Sequence, residues 1–110
     1  MAKNTPKERK YAMYEAILHL KDIDECCRFF DDLCAVTELR AMEQRYEVAS
    51  MLMEEKVYME IMEKSNASSA TISRVNRMLN YGTGCLPEVI RRTKEAQQQE
   101  EAADSEIEQE

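Results

Sequence analysis

Two sets of side chains in this 110-residue chain have the types and spacing to do chemistry. The first is built on sulfur: Cys26, Cys27 and Cys34 lie close together, Cys85 lies apart, and His19 is the sole histidine. A bound transition metal needs several such donors converging on one point. Neighbouring residues on a helix point about 100° apart, and the step from His19 to Cys26 covers roughly 10 Å of helix. That distance also separates any Cys–His nucleophile pair. The cysteines therefore read as small reduced thiols in a cytosolic core, and neither a metal ligand nor a catalytic residue is expected. The second set is "NASSATISRVNRMLNYG", residues 66–82, in which hydroxyls and alanines precede two arginines. If Ile72, Val75 and Leu79 point inward on a helix, Ala70, Arg74 and Arg77 point the other way, flanked by Thr71 and Ser73. Short side chains let a helix backbone approach another surface closely. The DNA major groove is about 12 Å wide and only just admits a helix. Ser69, Ala70, Thr71 and Ser73 could then reach base edges or thymine methyls, while Ser68 and the helix start face phosphate.

The formal charge of −7 looks hostile to nucleic acid until it is divided by position. From Glu95 onward, "EAQQQEEAADSEIEQE" carries seven acids and no base, so residues 1–94 are neutral. Within residues 65–94, Arg74, Arg77, Arg91, Arg92 and Lys94 face one acid, Glu88. The segment that holds the hydroxyl-fronted helix is locally positive, and these bases are expected to share in attracting phosphate. The acidic end has too few apolar residues to fold alone and is expected to be a disordered tail, 95–110, although its Glu, Gln and Ala content could prolong a preceding helix.

The elements that must position these residues are all helical, because two glycines and two prolines leave few places to turn. Pro6 suits the first turn of a helix carrying Tyr14, Ile17 and Leu18 on one face. Asp22 can cap a second helix with Ile23, Phe30, Leu33 and Cys34 in a broad stripe that Phe29 widens. Thr37 can cap a long third helix whose Leu39, Met42, Tyr46, Ala49 and Met53 recur at three- and four-residue intervals, with Val48 and Leu52 on a second seam. Helices apolar on two sides need more neighbours than one short chain provides. A homodimer with interlaced helices is expected, held by Ile23, Phe29, Phe30, Leu33, Leu39, Met42 and Tyr46. Next, "VYMEIMEK" and the quoted stretch form a helix-turn-helix over about 57–80: Ile61, Ala67, Ile72 and Val75 fall inward, Asn66 takes a left-handed turn, and Ser68 caps the second helix.

With those residues in view, "FFDDLCAVTELRAMEQRYEVASMLMEEKVYMEI" running into "NASSATISRVNRMLNYG" resembles the Trp repressor-like superfamily, most closely its YerC/YecD branch. The resemblance covers about residues 15–85. It implies an all-α, six-helix fold in an intertwined homodimer, with the fourth and fifth helices reading DNA and "LPEVIRRTKEA" closing the dimer. It also implies a transcriptional regulator, a probable-repressor class in which Ser69, Ala70, Thr71 and Ser73 match residues that face DNA. On the preceding helix, Met59 and Met62 stand where the repressor has basic contacts. The tryptophan repressor grips its co-repressor between two arginines, whose places here fall to Arg45 and Arg74. The connection "EEKVY" lacks the repressor's glycine and reads as one residue shorter, so no co-repressor or other cofactor is carried over.

The expectation is therefore a domain over residues 1–94 that binds double-stranded DNA through Ser68, Ser69, Ala70, Thr71, Ser73, Arg74 and Arg77. A non-enzymatic, cytoplasmic protein is expected, since no apolar stretch is long enough to span a bilayer and the N-terminus has no secretory pattern. Two other readings stay open: a helical module that binds protein, and a small-molecule sensor on the same dimer scaffold.

Overall fold

The structure, a computed structural model, describes residues 8–109. Pro6 lies outside the described residues. Six helices follow one another: α1 (Ala12–Ile17), α2 (Ile23–Leu33), α3 (Val36–Met53), α4 (Tyr58–Ser65), α5 (Ser69–Tyr81) and α6 (Cys85–Gln109). No strand occurs among the described residues. The chain divides into two compact units, one ending at Leu39 and one beginning at Arg40.

In the first unit, α1 stops at Ile17, so Leu18 is its C-cap and stands 84% exposed rather than completing a buried face. At α2 the Asp22 carboxylate accepts from the Glu25 backbone N–H at 2.8 Å, and the Glu25 carboxylate accepts from the Lys21 N–H at 3.2 Å. This reciprocal arrangement satisfies amides that the first helical turn leaves without partners. Neither α1 nor α2 has a buried residue. Phe29 and Phe30 meet edge to face at 5.3 Å, while Ile23 and Leu33 stand 83% and 55% exposed. Thr37 does not cap α3. The helix begins at Val36, and the Glu38 carboxylate accepts from the Ala35 N–H at 2.7 Å, because a Glu in the first turn is long enough to reach back.

The second unit holds the core. Val48, Ala49 and Met51 of α3 meet Ile61 of α4, Ala67 of the turn, Ile72 and Val75 of α5, and Ile90 of α6. Each large aliphatic side chain buried there contributes about 1.5–3 kcal/mol. The apolar seam expected along α3 splits: Ala49 is buried and Met53 packs against the core, while Met42 and Tyr46 remain about 40% exposed. Gly84 supports the entry to α6, with φ +93°, a backbone conformation that side chains disfavour. From there α6 runs without a break through Gln109, so the segment expected to be a disordered tail has helical backbone to that point. Its Ala, Glu and Gln residues are strong helix formers and no glycine or proline interrupts them. No helix among the described residues is long and apolar enough to cross a membrane.

Candidate nucleic-acid interface

The geometry of α4, the turn and α5 follows from local rules at three residues. Asn66 ends α4 in the left-handed region, at φ 60° and ψ 17°, which Asn tolerates better than other side chains carrying a Cβ. Ser65 is buried, and its hydroxyl donates to the Ile61 carbonyl at 2.6 Å while accepting from the Ala67 N–H at 3.1 Å. Ser68 is the N-cap of α5, its hydroxyl accepting from the Thr71 N–H at 3.1 Å and donating to the Thr71 hydroxyl at 3.1 Å. Ile61, Ala67, Ile72 and Val75 are all buried, which fastens both helices and the turn to one core.

That inward set leaves the opposite side of α5 open. Ser68, Ser69, Ala70, Ser73, Arg74 and Arg77 are exposed and Thr71 is half-buried. The front offers hydroxyls and one methyl over its first turn, then two guanidinium groups. Among the described residues neither Arg74 nor Arg77 takes part in an ion pair. Beside it, α4 presents Met59, 81% exposed, and Met62, 39% exposed. Two of the α4 charges are paired: Glu60 meets Lys64 at 3.0 Å and Lys56, just before the helix, at 3.4 Å. Lys64, then Lys56, hold the Glu60 carboxyl below the usual carboxylate range, and Glu60 in turn raises Lys64.

The basic residues of α6, expected to share in attracting phosphate, have acidic or carbonyl partners within the chain. Arg91 is paired with both Glu88 and Glu95, and Arg92 with Glu88 at 3.3 Å. The hydrogen bond from Arg91 holds Glu88 below the usual carboxylate range. Lys94 donates to the Ser50 carbonyl near the end of α3 at 2.9 Å and lies 3.5 Å from the Glu54 carboxylate. A lysine at a helix C-terminus neutralises the negative end of the helix dipole. Each of these three cations thus has a partner within the chain, whereas Arg74 and Arg77 take part in no ion pair among the described residues.

Arg45 and Arg74 are the candidate pair for an effector pocket. Arg45 borders an apolar cleft of about 220 Å³ with Met42, Tyr46, Val75, Met78 and Leu86, and Arg74 is absent from its lining. The connection between α3 and α4 bends at Glu55, φ 61°, a left-handed turn made without the glycine usual for it. Among the described residues no group of three or more His, Cys, Asp or Glu side chains could hold a metal ion, and Cys26, Cys27, Cys34 and Cys85 are free and none is fully buried.

Sequence reasoning missed one residue that bears on this interface. The Gln44 side chain of α3 donates to the Ser65 carbonyl at 3.1 Å, joining the long helix to the turn. No short-range pattern signals a bond between residues so far apart in the chain.

Residues 8–94 match the family described as Trp repressor protein. The chain is 48% identical to the uncharacterised protein YerC of Bacillus subtilis over 85 residues, which is 77% of this chain and 82% of that one. Its fold is similar to the crystal structure of a TrpR-like protein from Eubacterium eligens, with a TM-score of 0.72 and 50% identity over 74% of this chain and 84% of that one. A second crystal structure, from Staphylococcus aureus, gives a TM-score of 0.71 and 41% identity over 74% of this chain and 82% of the other.

Proposed function

The chain belongs to the Trp repressor family, and from that premise we propose that it is a dimeric, sequence-specific DNA-binding regulator of transcription that reads the major groove with α5. The observation that carries this reading is the two-sidedness of α5: Ile72 and Val75 are fully buried, while Ala70, Ser73, Arg74 and Arg77 are exposed behind a Ser68 cap. A helix fronted by small side chains can enter a groove that a bulky front would block. Ser69, Ala70, Thr71 and Ser73 address base edges, and Arg74 and Arg77 the phosphates or the groove wall. The α5 N-terminus, with Ser68, adds backbone N–H groups and the positive end of the helix dipole. Two copies related by a two-fold axis would place two such helices about 34 Å apart, one turn of duplex. Each unit leaves apolar side chains available for pairing: exposed Ile23 and Leu33 with half-buried Phe29, Phe30 and Leu39 in the first, and exposed Met42 and Tyr46 in the second.

Exposed Met59 and Met62 favour a second reading, in which the helix-turn-helix docks on a protein. Selection of bound fragments from a random duplex pool separates the two. The DNA reading expects one enriched, two-fold symmetric sequence, and the substitution Thr71→Val or Ser69→Val changes the preferred base pairs by about 1–3 kcal/mol each. Uniform, weak retention of every duplex would discard the reading in favour of a protein partner.

A further inference from the structure

The turn between α4 and α5 is held from two directions. Locally, the Ser65 hydroxyl spans from the Ile61 carbonyl to the Ala67 N–H, so that one side chain bridges the end of α4 and the entry to α5. From outside, the Gln44 amide reaches the Ser65 carbonyl. That carbonyl belongs to the last residue of α4, whose successor turns left-handed, so helix geometry gives it no partner of its own. Gln44 is half-buried on α3, one turn before Val48, and Val48 is fully buried in the cluster that includes Ile72 and Val75. Apolar contacts of that cluster are non-directional and tolerate small rotations of α4 and α5 over α3. A hydrogen bond between a side-chain amide and a backbone carbonyl does not. It therefore pins the turn, and with it the direction in which the front of α5 faces.

We infer that Gln44 is a positioning residue for the reading helix: its bond to the Ser65 carbonyl sets the pose of α5 and so sustains discrimination among DNA sequences, although its side chain is on a different helix from the front. The inference rests on the function proposed above. Small misplacement disturbs short, directional contacts to base edges far more than it disturbs attraction to phosphate, which falls off slowly with distance. Loss of the bond thus lowers affinity for the preferred duplex and leaves affinity for unrelated DNA in place.

The test uses the full chain and three variants, each checked for native helicity by circular dichroism. Gln44→Met keeps length and loses the donor. Gln44→Glu keeps shape and sets a carboxylate against a carbonyl, and Gln44→Lys keeps a donor of similar reach. Each is titrated against the duplex recovered by selection with the wild-type chain and against a scrambled duplex of equal composition. The ratio of the two affinities cancels the general effect of altered charge. Gln44→Met and Gln44→Glu are expected to lower that ratio roughly tenfold, in line with one lost hydrogen bond in each of two subunits, and Gln44→Lys to restore most of it. Should Gln44→Met fail to fold, Gln44→Glu against Gln44→Lys decides alone. A ratio unchanged in Gln44→Met or Gln44→Glu, or lowered equally in Gln44→Lys, overturns the positioning role while the DNA reading stands. A wild-type chain with no preference between the duplexes overturns both, which keeps the two failures distinct.

Discussion

On the proposed function, replacing Arg77 by glutamine should change how steeply DNA affinity falls with salt, and the size of the expected change follows from which cations are engaged within the protein. Five bases lie between residues 65 and 94. Arg91 and Arg92 are tied to Glu88 and Glu95, and Lys94 to the Ser50 carbonyl and Glu54. That leaves Arg74 and Arg77, which in the proposed dimer would supply about four phosphate-neutralising charges. Each neutralised phosphate contributes about −0.9 to the slope of log K against log salt, so the expected slope is about −3.6. Between 50 and 200 mM salt the affinity then drops by roughly two orders of magnitude. If all five bases met phosphate, the slope would be about −9. Fluorescence anisotropy of a labelled duplex over a salt series measures it directly. Arg77→Gln should make the slope shallower by about 1.8, for two copies, and Arg91→Gln should scarcely move it. A wild-type slope near −9, or equal effects of the two substitutions, would refute the view that the α6 cations are engaged within the chain.

Two further outcomes concern stability. Glu55 holds a left-handed conformation that costs a side chain about 1–2 kcal/mol, against the 0.5–1 kcal/mol of extra chain entropy that glycine loses on folding. Glu55→Gly should therefore raise the melting temperature slightly, and a clear fall measured by calorimetry would contradict this. Because Lys64 and Lys56 depress the Glu60 pKa from its ordinary 4.5, Glu60 adds stability above that value and loses it as pH falls through its lowered folded-state pKa. Urea titrations should find Glu60→Gln less stable than the wild type at pH 7, with the gap closing in acid. A gap that is constant across that range would rule out this linkage.

The helix-turn-helix was the most legible part of the sequence, because each of its signals is local. Asn66 in a left-handed turn, the Ser68 cap and the inward set of Ile61, Ala67, Ile72 and Val75 all stand as their spacing implied. The Asp22 cap stands for the same reason. Thr37 misled because two cap-forming residues, Thr37 and Glu38, adjoin, and the choice between them depends on where the helix starts. Met51 and Ile90 were missed as core residues since neither belongs to the most regular apolar repeat on its helix. Counting charge by segment gave the local excess of bases but not which of them have partners within the chain. The pairs of Arg91 with Glu88 and Glu95 sit at helical spacings readable in the sequence, but Lys94 to Ser50 depends on two helices meeting. The front of α5 was legible as a pattern. Gln44, which acts across the fold, was not.

The uninterrupted course of α6 has an electrical consequence. A flexible chain would sweep its carboxylates through the space around the protein, whereas a helical rod keeps each one at its own station. Glu95 and Glu106 are about 16 Å apart along the axis, roughly two screening lengths at physiological ionic strength. At that ionic strength the two ends of the acidic rod scarcely feel each other. In dilute buffer, where the screening length reaches about 30 Å, the whole rod acts as one charged object.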